Sequence, residues 1–209
     1  PSVAVKVFLQ QDESLQQRYE EFSVFLNALT KSTKEVHKFI PGFHYLPHGI
    51  RIGNRAYPVL QMDWLEGPTF EELMKAPIAN LEKLPAAKRQ FRSLCSTMTT
   101  LGIIHGELEA SNFILTIDAG LRITDFDCLQ LHRISSAPPA ESTGSLRHPT
   151  EPTYVDEYSD RFPSWIIDST LTLAEFEPEA AEDILRGLDY FRQDVEESAG
   201  SLGAEDQPA

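Results

Sequence analysis

The sequence predicts a mixed α+β fold, and three patterns carry that prediction. β-Branched and apolar residues run together at 3–8 (VAVKVF), the composition of a strand. Apolar residues recur at spacings of three and four over 14–29 and run helix-like again over 86–101. Short apolar runs flank the turn pair Gly53-Asn54 and the triplet Asp118-Ala119-Gly120, as in hairpins. With 209 residues, 41% of them hydrophobic, the chain has enough apolar surface to bury a core, which excludes wholesale disorder. Eighteen Lys and Arg against 32 Asp and Glu leave a net charge of −14, which repels a phosphate backbone, so no nucleic-acid partner is expected.

In the strand at 3–8, Lys6 is the odd member. In the helix at 14–29, Leu15, Tyr19, Phe22, Phe25, Leu26 and Leu29 form one buried face, and Glu20 and Glu21 begin its second half. Segments 43–52 and 56–62 make the first hairpin, completing a small lobe over 1–62. Residues 63–68 (DWLEGP) break the periodicity and read as a joint, leading to a short helix at 70–74. The helix at 86–101 stops at Gly102, and 113–117 with 121–124 form the second hairpin. Four of the 14 prolines fall in 135–152, which reads as a long irregular loop. Helices are expected at 165–173 and 180–191, so that 69–195 makes a second, mainly helical lobe. The acidic, small and polar segment 196–209 reads as a disordered tail.

Two cysteines, Cys95 and Cys128, offer no disulfide framework and fit a reducing compartment. No apolar stretch approaches the ~20 residues needed to cross a bilayer, and the start lacks a signal-peptide pattern, so a cytoplasmic protein with no membrane partner is expected. The chain opens inside a strand-like segment without an initiator Met, from which upstream residues are expected.

Singly, Lys6 reads as a lysine snorkelling from a sheet edge, His105 as a core histidine and Asp125 as a turn residue. Their order changes that reading. A strand lysine is followed by a helix glutamate, a hairpin, a connector, a long helix, His105-Gly106-Glu107 with Asn112 five residues after Glu107, a second hairpin, and Asp125-Phe126-Asp127. This succession resembles the protein-kinase fold from Val3 to about Leu173. Gly49-Ile50-Arg51 and Asp160-Arg161-Phe162-Pro163-Ser164-Trp165 are similar to motifs of a bacterial kinase-like branch.

The resemblance implies a bilobal domain that binds ATP and Mg²⁺. Lys6 would grip the α- and β-phosphates, with Glu20 or Glu21 as its partner. Met62 would limit the adenine pocket, and backbone groups of Asp63 and Leu65 would hold the base. Asn112 and Asp125 would hold the metal, Glu107 would stand at the catalytic base, and Asp160 would brace the catalytic loop. The charges make sense together, since a polyphosphate in an acidic protein needs an ammonium and a divalent cation held by oxygen ligands.

Several positions depart from the family pattern. Glu107 replaces a shorter aspartate, and Glu109 stands where a lysine would neutralise the transferring phosphoryl group. Gly106 replaces an arginine, Asp127 a glycine, and no Gly-rich loop precedes Lys6. Three readings stay open: an ATP- and Mg-binding domain with impaired phosphotransfer; an active kinase using Glu107 on a protein or, as in aminoglycoside and choline kinases, a small-molecule hydroxyl; and a nucleotide-free interaction module. The partners implied are ATP and a substrate or regulated protein.

Overall fold

The computed structural model describes residues 2–9, 12–30, 38–118, 120–132, 140 and 154–181. The chain is mixed α+β, with three small antiparallel sheets and five α-helices among these residues. Strand β1 (Val3–Val7) leads into helix α1 (Glu13–Thr30), and strands β2 (Phe43–Ile52) and β3 (Arg55–Asp63) form the first hairpin. The three strands lie in the order β1-β3-β2. Directly opposite residues share a sheet face, so the pairs Lys6 with Leu60 and Ala4 with Met62 put Ala4, Lys6, Leu60 and Met62 on one face. Asp12 starts α1: its carboxylate accepts from the Leu15 N–H at 2.9 Å and the Ser14 hydroxyl at 2.8 Å, which hold it below the usual carboxylate range.

Thr69 and Glu72 form a reciprocal capping box that starts α2 (Phe70–Lys75), and a short helix α3 (Pro77–Asn80) follows. Helix α4 (Leu84–Leu101) ends at Gly102, whose φ of 67° lets its N–H reach the carbonyls of Met98 and Thr99. Strands β4 (Ile103–Ile104) and β7 (Gln130–Leu131) pair with each other, as do β5 (Phe113–Leu115) and β6 (Leu121–Ile123). Helix α5 (Arg161–Phe176) packs on α4, joined by the two-pronged Arg92–Asp168 pair and by Lys88–Glu175.

Both expected hairpins are present, and the helix expected at 165–173 begins four residues earlier, at Arg161. The two-residue strands and α3 have too few residues to show a period. Of the helix expected at 180–191 only its start falls among the described residues, with 178–181 helical, and the tail at 196–209 lies outside them. The loop expected at 135–152 lies outside them except for Ala140.

Among the described residues one large core is formed, with a second, smaller cluster of Ile104, Cys128, Ala140 and Val155. Phe22 packs against Phe43 and Phe126 with ring centroids 5.0 and 5.6 Å apart, and Phe126 meets His105 at 5.7 Å. A second aromatic group, Phe70, Phe91 and Phe113, joins α2, α4 and β5. The joint at 63–68 therefore separates elements of the chain without separating their core. Phe22 is fully buried and touches both the sheet and the Asp125 loop. Phe22→Ala should cost about 3–5 kcal/mol in urea unfolding, as large aromatic truncations do.

Candidate functional site

Strand β4 delivers the chain into the loop 105–112, and one residue from α5 shapes that loop. Asp160, the residue before α5, does not cap its own helix. Its carboxylate instead accepts the His105 N–H at 2.7 Å and the Gly106 N–H at 2.9 Å. Burial pushes this carboxyl upward, while His105 and the two N–H groups act in the opposite direction. His105 is fully buried, and its Nε2 lies 2.9 Å from the Thr124 carbonyl, an acceptor, so Nε2 carries the proton. The loop ends in a turn of 3₁₀ helix, Ala110–Asn112, where Asn112 Nδ2 donates to the Glu107 carbonyl at 3.0 Å. The Thr124 N–H in turn donates to the Asn112 carbonyl at 2.9 Å, so the two loops are hydrogen-bonded to each other.

Gly106 has a φ of 83°, and a Cβ there would lie 2.7 Å from the Cys128 carbonyl and 2.7 Å from Val155 Cγ2. The arginine of the family pattern has neither the backbone conformation nor the space in this loop. The site is thus built around the glycine.

Asp125 follows the second hairpin with a φ of 61°, the one non-glycine positive φ among the described residues. Such conformations are uncommon and gather at functional sites. Partial burial raises its carboxyl above the usual range, Asp127 and Glu107 add to the rise, and Lys6 and His105 oppose it. Lys6, Glu107 and Asp127 are therefore close enough to act on the Asp125 carboxyl, although the four come from strand β1 and from two separate loops.

The pairing expected for Lys6 is not formed. Its ammonium lies 2.5 Å from both carboxylate oxygens of Asp127. Glu20 is exposed, and Glu21 accepts from Gln17 at 3.1 Å. The helical period explains the difference: a helix that buries Tyr19, Phe22 and Leu26 carries Arg18 and Tyr19 on its inner face and turns Glu20 away. Tyr19 donates its hydroxyl to Asp127 Oδ1, and Arg18 Nη2 reaches the Asp127 carbonyl at 3.4 Å. These three residues were not singled out for the site from sequence, although the phase of the helix marks both Arg18 and Tyr19.

Glu107 is half-buried and accepts a hydrogen bond from the Cys128 thiol; burial first, then this carboxylate, push the thiol up to about 12. Met62 is half-buried on the face that carries Ala4 and Lys6. The Asp63 carboxylate accepts the Gly42 N–H at 2.7 Å, and the Asp63 N–H donates to the Gly42 carbonyl at 3.2 Å. The half-buried Leu65 makes no hydrogen bond to another described residue, so its N–H and carbonyl remain available. A cavity of about 480 Å³ bordered by Lys38, Arg89, Asp118 and Arg122 contains none of the predicted site residues.

No family model matches this sequence, and no curated protein matches it. Among the described residues no helix is long and apolar enough to cross a membrane. Gly106→Ala should destabilise the domain by more than the ordinary ~1 kcal/mol of a left-handed alanine, because its methyl meets backbone. Chemical denaturation beside Gly102→Ala, whose added Cβ would be 3.5 Å from its nearest neighbour, makes the comparison.

Proposed function

We propose that this chain is a protein-kinase-like, bilobal domain that binds ATP with Mg²⁺ and transfers phosphoryl groups weakly or not at all. The observation that carries the reading is the convergence of Lys6 from β1 and Asp125 from the loop after β6, close enough for each charge to act on the other. Lys6 would bind phosphate oxygens. Asp125 and the side-chain oxygen of Asn112 would hold the metal: with Nδ2 committed to the Glu107 carbonyl, Oδ1 is the end of the amide left to ligate. Among the described residues no three His, Cys, Asp or Glu side chains form a metal cage. Two protein oxygens suit Mg²⁺, which keeps waters and takes phosphate oxygens as further ligands. When bound, the ion would neutralise charge between the β- and γ-phosphates. Met62 and the free backbone groups of Leu65 support the expected adenine site.

Two features support weak transfer. Glu107, at the position of the base, already receives the Cys128 thiol, and its longer side chain displaces the carboxylate on a scale of about an ångström, at a cost on the order of a hundredfold in rate. Glu109 adds negative charge where an incoming phosphoryl group is itself negative. A second reading, a kinase-shaped interaction module without nucleotide, is favoured by one observation: the Lys6 ammonium is already neutralised by Asp127.

The experiment is calorimetry of ATP binding with and without Mg²⁺. Asp125→Asn keeps the side-chain shape and should abolish most of the metal dependence; equal Mg-ATP affinity in the two proteins would reject the assignment. Because the Asp125 carboxyl sits above its ordinary range, wild-type metal-dependent binding should be lost, as pH falls, at a higher pH than an unperturbed aspartate would set.

Catalysis is tested separately with labelled ATP. Glu107→Asp combined with Glu109→Lys should raise phosphate transfer more than either change alone. Robust transfer by the wild type that disappears in the double variant would make Glu107 a working base.

A further inference from the structure

We propose that Asp127 is the positioning residue of the cleft: its carboxylate orients Lys6 and, through Tyr19, fastens α1 to the Asp125 loop, doing the work expected of a helix glutamate. The proposal deepens the nucleotide-binding reading and rests on it for one measurement only.

The geometry points to Asp127 from three directions. Lys6 has both oxygens of this carboxylate within 2.5 Å and makes no ion pair with any other described residue. Tyr19, 2% exposed, spends its hydroxyl on the same carboxylate. Burial and then the Asp127 charge raise the Tyr19 phenol above its ordinary range, so it keeps the proton that it donates to this carboxylate. Arg18, also buried, lies beside the Asp127 main chain. Helix α1 thus presents a cation and a neutral donor to the cleft where an anion was expected, and the anion comes from the loop. Lys6 acts on the carboxylates of both Asp125 and Asp127, while Arg18 reaches the Asp127 carbonyl.

This arrangement also accounts for the loss of a glycine at 127. A side chain there turns the segment after Asp125 from a free hinge into an anchored one. The helix cannot swing away without breaking the Tyr19 hydrogen bond, and Lys6 cannot turn to solvent without leaving its counter-ion. The cleft is therefore held ready by residues that belong to the chain itself.

The test reads Lys6 directly. Full-length protein is treated with N-hydroxysuccinimidyl acetate without nucleotide, and acetylation of Lys6 is followed by peptide mass spectrometry. An amine released from its carboxylate reacts faster, so Asp127→Asn should raise the Lys6 rate several-fold while acetylation of Lys75 and Lys83 stays unchanged. Glu20→Gln and Glu21→Gln should leave the Lys6 rate at the wild-type value. Tyr19→Phe, which removes one hydroxyl and keeps the ion pair, should raise the Lys6 rate by less than Asp127→Asn and lower the thermal midpoint. It provides a second route if Asp127→Asn does not fold, and an unchanged midpoint in Tyr19→Phe would overturn the clamp. An unchanged Lys6 rate in Asp127→Asn, or an equal rise in either glutamate variant, would overturn the proposal. Mg-ATP is then added to the wild type, where it should protect Lys6. Failure to protect would overturn the nucleotide reading alone, because the Asp127 effect is read without nucleotide.

Discussion

The buried carboxylate of Asp160 takes up two consecutive backbone N–H groups, those of His105 and Gly106, at the point where the chain leaves strand β4. Each of those donors would otherwise face the interior without a partner, at about 1–3 kcal/mol apiece. From this anchor a chain of bonds runs outward. His105 holds the Thr124 carbonyl, Thr124 holds the Asn112 carbonyl, and Asn112 holds the Glu107 carbonyl. Thr124, Asn112 and Glu107 are tied together by that chain, so one carboxylate at the start of α5 anchors the loop that carries Asn112 and the residue before Asp125.

The sheet supplies Lys6, and an aromatic stack connects it to these loops. Phe43 of β2, Phe22 of α1, Phe126 of the Asp125 loop and His105 succeed one another in ring contact. Aromatic pairs of this kind add roughly 0.5–1.5 kcal/mol each beyond simple burial. More important for the site, Phe126 lies between Asp125 and Asp127 in the chain, so packing its ring holds the backbone that carries both carboxylates. Polar geometry and apolar packing are one device here.

Elements with a long period or a turn pair were legible in the sequence. The two hairpins and helices α1, α2, α4 and α5 follow from spacing, Gly53-Asn54, Gly102 and the Asp160 motif. Strands β4 and β7 were not, because two residues carry no alternation and their pairing spans Ile103 to Leu131. In the site, the meeting of Lys6 with the Asp125 loop and the Asp160 brace agree with the motif order. The partner of Lys6 did not follow from it, because motif order led to Glu20 and Glu21 whereas the helical phase pointed to Arg18 and Tyr19. Asp127 was read as the loss of a glycine, since a carboxylate's partner 121 positions away has no signature in local sequence.

Among the described residues, strand β1 has one neighbour in its sheet, β3. Its outward residues are Val3, 45% exposed, and Val5, 54% exposed. The only charge on this strand, Lys6, points to the opposite face and is occupied by Asp127. Natural edge strands are commonly blunted by lysine, proline or a bulge, and none of these lies between Val3 and Val7 on the outward face. The lysine that would keep another strand away has been drafted into the cleft. The demand for a cation at the site thus leaves the outward face of β1 to two valines, with no charge of its own between Val3 and Val7.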